Sequence, residues 1–420
     1  MTVVAEPLAA DRRTGNYPKL CTAAGASNLA DGIFQVALPL LVLRLTRSPG
    51  AVGGLVVAAR LPWLLCSLHA GVLADRLDRR VTMVRVDVAR VVLIGGLAAL
   101  TVAGHERLWV LYVVAVALGT AETLFDTSAQ ALMPSVVAAE DLTRANGRLY
   151  AIEVMMNQFA GPPLGGMLVA VGITLAFTAS AAGYALAAFA LVTMVGSFRP
   201  VRSHEGSVRA SMRGEIVEGL RYLWGHRLLR TFTVVGGVSN LFTMAAFALF
   251  PLLVVRPGPL GLSEFGYGLL LTVAAVGSLL GSLIVARVEA RLGRRRMLVG
   301  CLVVDGAATA ALATGRLAVA IPVGLVLGVT LVFFNVVAVS LRQRITPNHL
   351  LGRINAAHRM VTWGTMPAGA AVGAVLAEAF GVRAVFLVSG VAMATLVVLL
   401  RGVTDAAMAD AERAIEGDGG

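Results

Sequence analysis

The sequence predicts an all-α membrane protein in which twelve transmembrane helices form two six-helix, pseudo-symmetric bundles. Composition is the first reason: 57% of the 420 residues are hydrophobic and 14% charged, with a mean hydropathy of +0.81, whereas a soluble domain carries about 25% charged residues. The second is length. Apolar stretches of about 20 residues, enough for a helix to cross a bilayer, begin near Lys19, Ala51, Thr82, Leu108, Ala145, Thr174, Leu229, Glu264, Arg294, Leu317, Leu351 and Val382. The third is internal repetition. Ser27-Asn28-Leu29 returns as Ser239-Asn240-Leu241, and Pro39-Leu40-Leu41-Val42 as Pro251-Leu252-Leu253-Val254, both at an offset of 212, so the first helix of each half is one element used twice.

Residues 1–18 read as a cytoplasmic N-terminal arm and 19–197 as the first bundle. The first helix contains Asn28 and Asp31 and is too long for a signal-peptide core, so it stays in the mature chain. A charged hairpin, Gly71-Val72-Leu73-Ala74-Asp75-Arg76-Leu77-Asp78-Arg79-Arg80, joins helices two and three, and a degraded copy, Ala290-Arg291-Leu292-Gly293-Arg294-Arg295-Arg296, follows about 215 residues later. Helix five opens on Leu142-Thr143-Arg144-Ala145-Asn146, matched by Leu351-Gly352-Arg353-Ile354-Asn355 at the start of helix eleven. Residues 198–228 are the longest polar connection, and Ile216, Leu220, Leu223 and Trp224 fall there at helical spacing, which predicts an amphipathic helix on the cytoplasmic interface. Residues 229–402 are the second bundle, and 403–420, with Asp405, Asp410 and Glu412, read as a solvated cytoplasmic tail.

The formal charge of +11 is a matter of topology. With both termini in the cytoplasm, roughly 27 of the 35 Lys and Arg fall on that side, about six on the other, and Arg60 and Arg90 inside helices. Basic patches interleaved with aromatics are absent, which argues against nucleic acid as a partner. Cys21, Cys66 and Cys301 have no metal-site or disulfide spacing. The single lysine, Lys19, follows Pro18, so no Walker A phosphate loop exists. The six histidines are scattered without a nucleophile beside them, so enzyme activity is not expected. No cofactor and no metal are implied.

On these motifs the chain resembles the major facilitator superfamily over essentially its whole length. Gly71, Asp75, Arg76, Arg79 and Arg80 match the superfamily's signature loop, with Asp78 where a second glycine is usual. The run from Leu118 through Phe125 and Pro134, followed by Leu142 to Asn146, is similar to the branch containing enterobactin exporters and macrolide efflux proteins. The resemblance implies that Asp75 gates the cytoplasmic side by contacting the start of helix eleven, near Leu351 to Asn355. Gly161, Pro162, Gly165 and Gly166 resemble the antiporter motif of drug exporters; glycines thin a helix for close packing and prolines bend it.

Ionisable residues at membrane depth are costly, on the order of 2.5–3.5 kcal/mol each at a helix centre. Asp31, Arg60 and Glu122 fall about ten to fourteen residues into their helices, near mid-bilayer at ~1.5 Å per residue. Asp126 is four residues after Glu122, on the same face, and Glu153 lies in helix five. Asp31, Glu122, Asp126 and Glu153 are therefore the expected proton-coupling sites with Arg60 as the switchable partner, while Asp87 and Arg90 read as structural. Phe34, Gln35, Phe125, Asn157, Asn240, Phe247 and Asn335 are the candidates for lining a substrate cavity.

The expectation is a secondary active transporter in the bacterial cytoplasmic (inner) membrane, a monomer that uses the proton gradient to export a small amphipathic drug-like or siderophore-like molecule by alternating access. An uptake symporter of the same fold and a non-transporting membrane scaffold or sensor stand as alternatives.

Overall fold

The computed structural model describes residues 8–138, 141–196, 198, 212–347 and 350–418. All twelve expected spans are helical. The first four are α1 (Leu8–Leu45), α2 (Pro49–Arg76), α3 (Arg79–Val102) and α4 (Leu108–Val136). Helix five is divided into α5 (Leu142–Val154), a π-helical turn (Met155–Ala160) and α6 (Gly161–Val171), and helix six is α7 (Ile173–Val192). The linker forms α8 (Met212–Gly225). The second set comprises α9 (Arg227–Val254), α10 (Glu264–Leu292), α11 (Arg294–Leu312), α12 (Leu317–Arg344), α13 (Leu351–Phe380) and α14 (Val382–Thr395), which runs on as a 3-10 turn (Leu396–Gly402). A last helix, α15, covers Asp405–Asp418.

Among the described residues nine helices are long and apolar enough to cross a membrane on length and composition. The other three spans fall short for visible reasons. α3 carries Arg79, Arg80, Arg85, Asp87 and Arg90, helix five is interrupted by its π turn, and α11 starts with Arg294, Arg295 and Arg296.

The chain divides into two compact units that do not follow the sequence halves. Unit one comprises Met1–Arg47, Ala58–His204 and Leu262–Thr272, and unit two Ser48–Val57, Glu205–Gly261 and Val273–Gly420. Within unit one α1 packs on α7 and α6, and α3 on α7 and α4. Within unit two α9 packs on α13 and α14, and α11 on α14 and α12. This is the same pairing, first helix with fifth and sixth and third with fourth and sixth, made twice. Each unit also claims the opening turns of a helix from the other half of the sequence, and glycine makes this possible. A Cβ on Gly53 of α2 would lie 2.7 Å from Ala374 Cβ of α13, and one on Gly166 of α6 would lie 2.7 Å from the Glu264 carbonyl of α10.

Three terminal regions differ from expectation. α1 starts at Leu8, inside the expected arm, because Asn16 ties it to the end of α7: its Nδ2 donates to the Val195 carbonyl at 2.8 Å and its Oδ1 accepts from Val195 N at 3.0 Å. Lys19 Nζ adds a bond to the Thr193 carbonyl at 2.6 Å. α8 forms as the spacing predicts but docks on α13, with Leu223 fully buried and Glu218 Oε2 2.8 Å from Arg353 Nη1. The tail does not stay in solvent. Met408 of α15 is 1% exposed, and Glu412 pairs with Arg294 at 2.6 Å and with Arg344 at 3.8 Å.

Candidate functional site: a buried charge network in unit one

The inward face of α3 carries Met83, Val86, Asp87, Arg90, Ile94 and Leu97, all buried. Spacings of three and four residues set Asp87 and Arg90 on this core stripe rather than on the helix's polar side. Arg90 is 1% exposed and Asp87 fully buried, so every charge here needs a partner.

The partners come from α1, α4 and α7. Arg90 Nη1 donates to Ser27 Oγ at 2.9 Å and to Asp87 Oδ1 at 3.5 Å, and lies 3.9 Å from Asp31 Oδ2. Tyr184 Oη donates to Asp31 Oδ1 at 2.6 Å. The guanidinium carbon sits 5.0 Å from the Tyr184 ring centroid and 5.3 Å from that of Phe125, in range for cation–π attraction. Arg90 Nε and Nη2 and Asp87 Oδ2 are buried without a protein hydrogen bond. A bidentate clamp would have used those atoms, so the guanidinium is shared among partners instead.

Glu122 and Asp126, one turn apart on α4, are half-buried. Glu122 lies in the electrostatic field of Asp31, Arg60 and Arg90, and Asp126 in that of Glu122, Asp31, Arg90 and Glu153. The neighbourhood therefore gathers Asp31, Asp87, Glu122 and Asp126 around Arg90, with Arg60 at Glu122 and Glu153 toward Asp126. Arg60 was expected to pair with Asp31 and Glu122. Among the described residues it makes no ion pair, and Arg90, expected to be structural, holds Asp31. Tyr184, Ser27 and Asp87 are the other members that sequence reasoning did not place here; the core spacing of Asp87 and Arg90 is the signal that could have found them. In unit two the corresponding depth holds Asp305, to which Thr330 Oγ1 donates a hydrogen bond.

The signature hairpin closes on unit one. Asp78 caps α3, its Oδ1 accepting from Val81 N at 3.1 Å and its Oδ2 from Phe198 N at 3.2 Å, which accounts for an aspartate where glycine is usual. Arg79 Nη1 donates to the Ala131 carbonyl at 2.8 Å, and Arg80 Nη1 to that of Met194. The backbone of Gly71, Asp75 and Arg76 is helical, and their side chains lie outside the described residues.

The glycines of α6 serve close approach. A Cβ on Gly161 would stand 2.6 Å from Gly32 Cα, and one on Gly165 2.9 Å from the Ile33 carbonyl, so α6 lies against the α1 segment that follows Asp31. Pro162 and Pro163 lack the N–H groups that carbonyls one turn earlier need, and the π turn occupies that stretch; such turns are frequent at functional sites. The turn presents Asn157, whose Oδ1 accepts from Gln35 Nε2 at 3.3 Å.

Of the other cavity candidates, Phe34 is buried with its ring 6.2 Å from Phe177, and Phe125 lies beneath Arg90. Asn240 binds the Thr362 carbonyl at 2.9 Å, and Asn335 the Leu331 carbonyl of its own helix at 2.9 Å. Phe247 is exposed.

A family model described as "Transmembrane secretion effector" matches residues 7–415. The chain is 29% identical over 397 residues to the multidrug efflux pump Tap of Mycolicibacterium fortuitum, covering 89% of this chain and 91% of that one. It is 25% identical over 332 residues to the enterobactin exporter EntS of Citrobacter koseri, covering 77% and 76%. The fold is similar to the crystal structure of the nucleoside transporter NupG, with a TM-score of 0.69 at 12% identity over 92% of this chain and 99% of that one. It is also similar to a bacterial homolog of the human lysosomal transporter Spinster, with a TM-score of 0.66 at 14% identity over 99% of both chains.

Proposed function

The chain belongs to the transmembrane secretion effector family of major facilitator superfamily transporters, and from that premise we propose that it is a proton-coupled antiporter whose coupling site is the Asp31–Arg90 network. It is a multi-pass membrane efflux transporter and not an enzyme. The export of a small amphipathic molecule is drawn from the multidrug pump Tap and the enterobactin exporter EntS. The excess of arginine on alternate loops supports a cytoplasmic position for both termini, and the monomer is taken as the transporting unit.

One observation carries the coupling assignment: carboxylates, Asp87 buried and Asp31, Glu122 and Asp126 half-buried, outnumber the guanidinium at their centre, and that guanidinium is divided between two of them, at 3.5 Å from Asp87 and 3.9 Å from Asp31. In a low-dielectric interior an unmatched carboxylate is relieved by a proton. A proton arriving on Asp31 Oδ2 removes its hold on Arg90, which then rests on Asp87 and Ser27 alone. Tyr184 keeps its bond to Asp31 Oδ1 in both states, so the carboxyl stays in register while the ion pair comes and goes. Asp31 belongs to α1, and Gly32 and Ile33 touch α6 through Gly161 and Gly165. A shift of α1 on neutralisation is thereby passed directly to the glycine–proline segment of helix five. Glu122 and Asp126 extend the network along α4 and are the next carriers for the proton.

The test is extrusion of a fluorescent amphipathic dye from proteoliposomes driven by an imposed pH gradient. Asp31→Asn is expected to remove gradient-driven extrusion while leaving dye binding in place. Extrusion by Asp31→Asn equal to the native protein, or native extrusion insensitive to collapse of the gradient, overturns the assignment.

A further inference from the structure

Unit two holds a cation that, among the described residues, no carboxylate pairs with: Arg342, half-buried in the last turn of α12. Its neighbours are served: Arg344 pairs with Glu412 and Arg353 with Glu218. Arg342 Nε instead donates to Asn355 Oδ1 of α13 at 2.8 Å. That bond draws the guanidinium back onto the protein rather than out to solvent, as a snorkelling arginine would go.

His358 lies three residues beyond Asn355 on the same face of α13, within the electrostatic reach of Arg342. Its Nδ1 is 2.9 Å from Thr233 Oγ1 of α9. Thr233 is 1% exposed and this is its hydrogen bond. A buried hydroxyl keeps its proton satisfied by donating it, which makes Nδ1 the acceptor and leaves the ring N–H on Nε2.

With His358 Nδ1 spent, every uncommitted nitrogen of the cluster is a donor: the Nη1 and Nη2 groups of Arg342, Nδ2 of Asn355 and Nε2 of His358. From this geometry we infer that the ends of α12, α13 and α9 form a binding site for an oxyanion, a carboxylate or a phosphate ester. The two parallel Nη groups match the two oxygens of such an anion, and the charge it brings is one that no described residue supplies to Arg342. A cation is repelled there by the guanidinium of Arg342. The anion has two sources, an acidic group on a transported molecule or the headgroup of an acidic lipid. The site stands or falls independently of the coupling mechanism, because it lies in unit two and its test measures binding, not transport.

The experiment uses the full-length protein in nanodiscs of phosphatidylcholine, whose headgroup has no net charge. Benzoate and inorganic phosphate are titrated against benzylamine as the cationic counterpart of benzoate, with tryptophan fluorescence and thermal melting as readouts. Saturable binding of benzoate or phosphate, and none of benzylamine, is the expected result. Arg342→Gln should weaken the anion by about tenfold or more, and Arg342→Lys, which keeps the charge but loses the fork, by a smaller factor. His358→Leu, which leaves the cation in place, gives an independent arm should Arg342→Gln fail to fold, and it too should weaken binding. Repeating the titration with phosphatidylglycerol in the disc separates the sources: competition assigns the site to a lipid headgroup, and its absence assigns it to a soluble acid. Equal anion affinity in the native and variant proteins, equal binding of benzylamine, or no anion binding in either disc overturns the inference.

Discussion

The two units repeat one helix pairing and differ at two places, the start of their third helix and the centre of their charge. α3 is capped from within its own hairpin, by Asp78 on Val81 N, and Asp78 also accepts from the backbone of Phe198, just beyond α7. In α11 the matching position is Gly293, with φ of 78° and no side-chain cap. The carboxylate there comes from beyond α14: Asp405 Oδ1 accepts from Arg295 N at 3.2 Å. Both units thus join the third helix to the segment leaving the sixth through one carboxylate and one backbone N–H, but donor and acceptor have changed places. What the two copies share is the closure and not the residue that makes it, so a degraded motif can keep its structural role when another part of the chain supplies the missing group. At the centre the contrast is one of charge. Unit one divides a guanidinium between carboxylates, and unit two holds Asp305 against a threonine hydroxyl.

The largest break in this comparison is expected at the centres. Arg90→Gln leaves the buried Asp87 and the half-buried Asp31 without their cation and should destabilise unit one by about 3–5 kcal/mol. Asp305→Asn keeps a hydrogen-bonding partner for Thr330 and should shift the melting temperature far less. Comparable losses for the two variants in a thermal melt would mean that unit two has a charge dependence equal to that of unit one.

Ending the chain at Thr404 removes the Asp405 cap and the burial of Met408 together. The expected loss is roughly 2–3 kcal/mol, most of it from the methionine, read as a lower unfolding midpoint with α11 exchanging its amide hydrogens faster. Unchanged exchange at α11 would separate α15 from the closure of the hairpin.

Single caps come next. Asp78→Ala and Asp405→Ala should each cost about 0.5–2 kcal/mol, with Asp78 the larger because it holds two N–H groups. Gly293→Asp, placed in the Asp405→Ala background, sharpens the comparison by moving the carboxylate back into the hairpin. At φ 78° and ψ 158° Gly293 occupies a region open essentially to glycine alone, so the strain on the aspartate outweighs the regained carboxylate and no recovery of the melting temperature is expected. The smallest effect belongs to Glu412→Gln, whose pairs with Arg294 and Arg344 are part-exposed and worth up to about 1 kcal/mol.

Much of the fold was legible in the sequence because bilayer-length apolar runs and a repeat offset of 212 are coarse signals that packing details do not disturb. Asp31, Glu122, Asp126 and Glu153 could be named from depth alone, since an acid in the middle of an apolar helix has few reasons to be there. Choosing their cation could not be done from depth. Arg60 and Arg90 both lie inside helices, and deciding between them needs the rotation of α3 relative to α1 and α7, which a tilt of a few residues reverses. The spacing of Met83, Asp87, Arg90, Ile94 and Leu97 carried that rotation, but Asp87 and Arg90, near the start of α3, read as structural. α15 was illegible for a different reason. Its acidic residues look solvated until the arginines of α11 and α12, more than sixty residues earlier, are brought beside Glu412. The division into units escaped too, since the segments 48–57 and 262–272 change sides through contacts between backbones at glycine.

The position of Asp405 has a consequence for how the protein is made. Asp78 is translated three residues before the Val81 N–H it caps, so the cap of α3 can form as soon as it leaves the ribosome, and its bond to Phe198 N follows once α4 to α7 have been made. The carboxylate that closes α11 is 110 residues away from its donor and is translated after α12, α13 and α14. A nascent chain halted between α14 and α15 therefore has its first hairpin sealed and its second open. The contact that closes the second bundle can therefore form only once α15 has begun to be made.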